Sequence, residues 1–126
     1  MKKIIFIFII AIMCGCGDVY TSYDLTIVNK TTDTIKFYFT GTTAYTQGKD
    51  SVIVYPLSEN NYFHLEGHPT KNACDYNGIY PNDVRVVVSN GKSLVKEISN
   101  IDNWECEGNR KIGWKMTFVI NDSDLE

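Results

Sequence analysis

The sequence predicts an all-β chain: one small domain built from short antiparallel strands. Three observations carry this. Thr, Val, Ile, Tyr and Phe are plentiful and helix formers are sparse, which is the chemistry of a pleated, half-buried surface. Apolar and polar residues alternate with period two in several short runs. Turn residues separate those runs at short spacing.

Taken in order, the first strand covers 23–28, with Tyr23, Leu25 and Ile27 on one side and Asp24 and Thr26 on the other. Asn29 to Asp33 supplies turn residues. The second strand, 34–40, sets Ile35, Phe37 and Phe39 toward a core and Lys36 and Tyr38 outward, so the two strands read as a hairpin. A third strand, 51–55, is apolar on both faces through Val52, Ile53 and Val54, as a central strand is, and Pro56 ends it. A turn over 57–61 leads to a short fourth strand, 62–65, and then to a long irregular stretch, 66–82. Segments 83–89 and 92–98 read as a hairpin around Asn90-Gly91, with a two- or three-residue loop. A rival reading makes Leu94, Ile98 and Ile101 one stripe of a helix. Residues 99–110 read as a connection, and 112–120 is the most regular strand, with Ile112, Trp114, Met116, Phe118 and Ile120 in one row. The acidic tail, 122–126, is expected to fray. Seven strands with turns between them suggest an immunoglobulin-like β-sandwich, although the Cys-Trp-Cys spacing of true immunoglobulin domains is missing; a small barrel is the alternative.

The N-terminus predicts export. Lys2 and Lys3 precede an apolar run from Ile4 to Met13, the pattern of a secretory signal. The run is about 10 residues long, where a spanning helix needs roughly 20. The block Met13-Cys14-Gly15-Cys16 resembles a bacterial lipobox, which implies that Cys16 receives acyl chains and becomes the mature N-terminus. Met13 and Cys14 depart from the usual Leu and Ala or Ser of that motif, and Gly15 and Cys16 fit it. An ordinary signal cut nearby and an uncleaved anchor are the rivals. The resulting division is a signal peptide over 1–15, a lipidated Cys16 with a short tether over 16–22, a β domain over 23–121, and the tail. Without Lys2 and Lys3 the chain carries 10 basic and 15 acidic residues, a net charge of −5. That argues against nucleic acid and against a polybasic grip on lipid.

Once Cys14 is discarded and Cys16 acylated, Cys74 and Cys106 remain, and an exported chain with two spare cysteines invites a disulfide. Two separate thiols are the alternative.

Several stretches together resemble small single-domain lipoproteins of the Bacteroidota type. They are the lipobox, Tyr23-Asp24-Leu25-Thr26-Ile27-Val28-Asn29, Asp50-Ser51-Val52-Ile53-Val54, Pro56-Leu57-Ser58, Asn103-Trp104-Glu105 and Phe118-Val119-Ile120-Asn121-Asp122. The resemblance implies an envelope location, with the membrane as partner through the lipid anchor, and a sandwich-like fold. It brings no catalytic residues. The triplets Asp33-Thr34-Ile35 and Asp50-Ser51-Val52 also resemble the O-glycosylation acceptor pattern of that phylum. Only Asp18 follows Cys16 closely, which leaves the periplasmic and surface faces equally open.

Constellations able to carry chemistry are few. His64 and His68, with Glu66, Cys74 and Asp75, are zinc-ligand types, but Gly67 and Pro69 break the helix that would align them, so no metal or cofactor is expected. Glu105 and Glu107 lie two apart, as paired acids on one strand face would, yet near turns such residues are usually solvated. No hydroxyl sits in a recognisable nucleophile setting. Tyr45, Tyr76, Tyr80 and Trp104 fall in predicted loops, where aromatics stack on sugars or anchor a partner. Trp104 has the alternative role of a plug on the end of the core. The expectation is a non-catalytic, lipid-anchored binding or accessory protein of the bacterial outer membrane, with a protein or glycan partner; a structural envelope component is the alternative.

Overall fold

The alternating runs fold into seven strands shared between two sheets. The computed structural model describes residues 21–39, 50–67, 73–75, 81 and 83–126. The strands are β1 (Thr21–Asn29), β2 (Ile35–Phe39), β3 (Ser51–Val54), β4 (Ser58–Gly67), β5 (Val84–Val88), β6 (Trp104–Asn109) and β7 (Gly113–Ile120). Short 3-10 turns cover Ala73–Asp75, Ile101–Asn103 and Asp122–Asp124. One sheet has the order β4-β1-β7-β6 and the other β3-β2-β5. All neighbours are antiparallel except β1 and β7, which run parallel.

The period-two pattern decides what is buried. Tyr23, Leu25 and Ile27 of β1 line up with Trp114, Met116 and Phe118 of β7, and the other sheet contributes Ile35, Phe37, Val52, Val54 and Val88 to the same core. Leu25, Ile27, Ile35, Phe37, Met116, Phe118 and Ile120 are fully buried. Each such side chain contributes roughly 1.5–3 kcal/mol relative to an exposed one. Cys74 and Cys106 are bonded, with their Cα atoms 5.7 Å apart. The bond ties the Ala73–Asp75 turn, whose Ala73 is buried, to the edge strand β6.

A buried polar knot joins the sheets. Asn29 is the last residue of β1, on its core-facing row, and is 1 % exposed. Its Nδ2 donates to the carbonyls of Asp33 (2.7 Å), Tyr55 (3.1 Å) and Val54 (3.3 Å). Its Oδ1 accepts from the backbone N–H (3.0 Å) and the hydroxyl (2.8 Å) of Thr31, which is wholly buried. Leu57 N–H then donates to Thr31 O. The chain crosses between sheets four times, and one amide holds two of the crossings, those after β1 and after β3.

Several expectations are corrected. Strands β1 and β2 do not form a hairpin; Asn29 turns the chain into the other sheet. β3 is an edge strand, not a central one, and Ile53 is exposed on it. β4 is ten residues long and begins at Ser58, because only Leu57, with φ 53°, is needed to complete the turn. It carries one extra residue, Tyr62, opposite the Leu25/Thr26 step. Residues 92–98 form neither the second half of a hairpin nor a helix. A strand there would put Lys96 on the same face as Leu94 and Ile98. Instead the chain leaves the Gly91 turn (φ 81°) toward the C-terminus. Ser93 and Glu126 exchange backbone hydrogen bonds, Val95 donates to Asp124, and Lys96 Nζ donates to Val119 O. The tail is therefore held, with Leu125 buried, rather than frayed. The missing strand is β6, which sequence reading left as connection. β1 likewise begins at Thr21, two residues inside the stretch read as tether.

Replacing Asn29 with Ala strips partners from Thr31 N–H and from three carbonyls, and should destabilise the domain by about 3 kcal/mol; denaturant unfolding measures it. Cys74→Ser with Cys106→Ser should cost about 3–4 kcal/mol, as loop closure over a 32-residue separation predicts, read as a lowered midpoint that matches the reduced parent protein.

Candidate functional site

The two sheets present chemically different outer faces. Across the four-stranded sheet, the pairings set His64, Asp24, Lys115 and Glu107 in one row, and Asn61, Thr26, Thr117 and Glu105 in the next. His64 Nδ1 lies 2.6 Å from Asp24 Oδ1, and Nε2 lies 3.9 Å from Glu66. The hydrogen bond to Asp24 raises the His64 pKa above its usual 6.5, helped by the charges of Asp24 and Glu66 and opposed by partial desolvation. Glu105 and Glu107 share this face, as their spacing implied, with Glu107 opposite Lys115. The row is a polar surface. Beside it lies an open depression of about 340 Å³ bordered by Asp24, Glu107, Trp114 and Lys115.

The three-stranded sheet presents a different surface. Alternation along β2 puts Lys36 and Tyr38 outward, and β5 brings Arg85 opposite Tyr38 and Val87 opposite Lys36. On the other side Ile53 faces Lys36 and Ser51 faces Tyr38. The Arg85 guanidinium lies 4.3 Å, and the Lys36 ammonium 4.6 Å, from the Tyr38 ring centroid. The ring's negative face attracts both cations. Neither cation forms an ion pair with a carboxylate among the described residues. Ile53 and Val87, both exposed, flank them. In an acidic chain, two cations gathered over an aromatic ring between exposed aliphatics form a surface suited to an anionic group with an apolar neighbour.

The residues singled out from sequence fare differently. Cys16, Tyr45, Tyr76, Tyr80 and His68 lie outside the described residues. Trp104 is in the core: it is 7 % exposed, its indole donates to Ile98 O at 2.7 Å, and its ring is 5.2 Å from Phe118. It acts as the plug, not as an exposed stacking face. Cys74 is spent in the disulfide and so leaves the zinc-type constellation. Among the described residues no group of three or more His, Cys, Asp or Glu side chains gathers to hold a metal. Thr34 and Ser51, of the two acceptor-like triplets, are half-buried at the starts of β2 and β3.

Sequence reading missed the Lys36–Tyr38–Arg85 cluster. The alternation of β2 showed two of its members on one face. Arg85 joins only through the β2–β5 pairing, which no local pattern announces.

The pKa shift has a sign. A histidine raised in the folded state contributes stability that is complete below about pH 6.5 and lost as pH rises through the folded value. His64 is half-exposed, so the effect on stability is small, but its titration is readable. In NMR the His64 ring should titrate above 6.5, and Asp24→Asn should return it toward 6.5; an unshifted midpoint in the parent protein would contradict the pairing.

Searches of family profiles, of curated proteins and of solved structures each return no match.

Proposed function

We propose that this chain is a lipid-anchored protein of the bacterial outer membrane that works as a non-catalytic binding module. The observation that carries the binding reading is the Tyr38 ring, with Lys36 and Arg85 over it and Ile53 and Val87 beside it. A partner with an anionic group next to an apolar surface meets this face without moving the backbone, since all five side chains stand on paired strands. The anchor reading draws on Lys2-Lys3, the short apolar run and Gly15-Cys16. Acyl chains contribute about 0.8 kcal/mol per buried methylene, and two or more hold a protein stably. The Cys74–Cys106 bond suits an oxidising compartment and supports export only weakly.

The finer fold class is an immunoglobulin-like sandwich. Its support is the pairing of β2 with β5 and of β6 with β7 across two sheets; β1, between β4 and β7, is this chain's own arrangement. Kinship with the small Bacteroidota-type lipoproteins rests on the sequence stretches named above.

A structural envelope role is the second reading, and one observation favours it. β5 is an edge strand of sequence Val-Arg-Val-Val-Val, and no described strand pairs with its outer side. Such an edge can accept another chain.

Two measurements test the proposal. Mass spectrometry of the membrane fraction should find an acylated Cys16 at the N-terminus, and Cys16→Ser should move the protein to the aqueous phase; a bare N-terminus in the parent protein would contradict it. A photoreactive side chain at Val87 should crosslink one partner in intact cells, and Lys36→Ala with Arg85→Ala should abolish the adduct. Adducts that persist unchanged in the double variant would remove the Tyr38 face from the reading.

A further inference from the structure

The start of β1 and the β6–β7 turn lie at the same end of the four-stranded sheet. β1 and β7 run parallel with Tyr23 beside Trp114, so the register brings Thr21 to the level of Ile112. The turn itself, Asn109 to Ile112, is firmly built. Asn109 Oδ1 accepts the backbone N–H groups of Lys111 (2.9 Å) and Ile112 (3.2 Å). Gly108 (φ 125°) and Gly113 (φ 92°) flank it in conformations that L side chains rarely adopt. A Cβ at Gly108 would fall 2.1 Å from Gly113 O, and one at Gly113 the same distance from Ser22 Oγ. This fixed tip presents Ile112, 77 % exposed and the most exposed of the large apolar side chains described, directly after Arg110 and Lys111.

A single exposed isoleucine needs no explanation by itself. Its position gives it one. Only residues 17–20 separate Cys16 from Thr21, a span of at most about 18 Å when fully extended. Acyl chains on Cys16 would therefore hold the Thr21 end of the sheet within that distance of the headgroups, and the tip stands at that end. An apolar group beside cations matches the chemistry of the membrane interface, with its apolar interior under anionic headgroups.

We propose that the β6–β7 tip docks on the bilayer, with Ile112 at the headgroup–acyl boundary and Arg110 and Lys111 against anionic headgroups. The inference rests on the reading of Cys16 as lipidated. One isoleucine and two cations could not anchor an acidic protein. A short tether, however, supplies them with a high effective concentration of membrane, so a weak contact suffices to orient the domain. The crossover end at Asn29 then points away from the bilayer, and the Tyr38 face stands to the side, open to a partner in the envelope.

The test uses the full lipidated protein in vesicles of phosphatidylethanolamine and phosphatidylglycerol. A spin label is placed at Ile112→Cys, or at Lys92→Cys near the opposite end. The expected result is that the label at 112 is shielded from an aqueous relaxation agent while the label at 92 is not. Arg110→Glu with Lys111→Glu should restore access at 112. Equal aqueous access at both sites, in protein that stays with the vesicles, overturns the docking and leaves the Cys16 reading intact. Protein that does not partition into vesicles overturns both. Shielding at 112 that survives the charge reversal also overturns it, because the label would then be driving the contact.

Discussion

Two chain crossings are held by one buried carboxamide. Asn29 stands where an apolar residue would continue the inward row of Tyr23, Leu25 and Ile27. Burying an amide without partners costs several kcal/mol, so its place there depends on satisfaction of both ends. Thr31 supplies two donors to its oxygen, and the exits of β3 and of the 30–33 loop supply carbonyls to its nitrogen. Its neighbours at the same end are secured in turn: Lys30 donates to Ile120 O, Ser89 exchanges bonds with Thr34, and Asn90 reaches Asp33. Beside the amide, the Leu57 N–H donated to Thr31 O links the same two crossings.

That constraint determines which strands can meet. With β1 sent into one sheet and β2 into the other, β1 is free to take β4 on one side and β7 on the other. The parallel β1–β7 pair then joins the beginning and end of the domain, and it levels Thr21 with the β6–β7 turn. β2, left in the smaller sheet, lies between β3 and β5, and only there does Arg85 come over Tyr38. The acidic face and the cationic, aromatic face are thus consequences of one partition. The disulfide acts elsewhere, fastening the Ala73–Asp75 turn to the β6 edge.

What was legible in the sequence was local. Alternation identified the inward rows of β1, β2 and β7, except that Ile112 lies before β7 and is exposed, and cysteine arithmetic offered the disulfide. The number of strands was right, but the membership was not: 92–98 was counted and 104–109 was not. Trp104 and Cys106 alternate with Glu105 and Glu107 as any strand would, and the segment pairs with β7. The Asn90-Gly91 turn signal predicts a strand over 92–98, but Lys96 there finds its partner at Val119 O. Pairing between distant strands is a non-local property, so neither the sheet change at Asn29 nor the assembly of the Tyr38 cluster could be read from spacing. Trp104 was ambiguous for a related reason: its burial depends on Phe118 and Ile98, which the sequence does not place beside it.

Native-state hydrogen exchange reads the central claim most directly. If the Asn29 knot holds both crossings, the amides of Thr31 and Leu57 and the Asn29 side-chain amide exchange only through global unfolding. Their opening free energies then equal those of Ile27 and Phe118 in the core. Exchange of these three groups through low-energy local opening, while Ile27 and Phe118 stay protected, would show that the sheets are joined without the knot and would contradict the account.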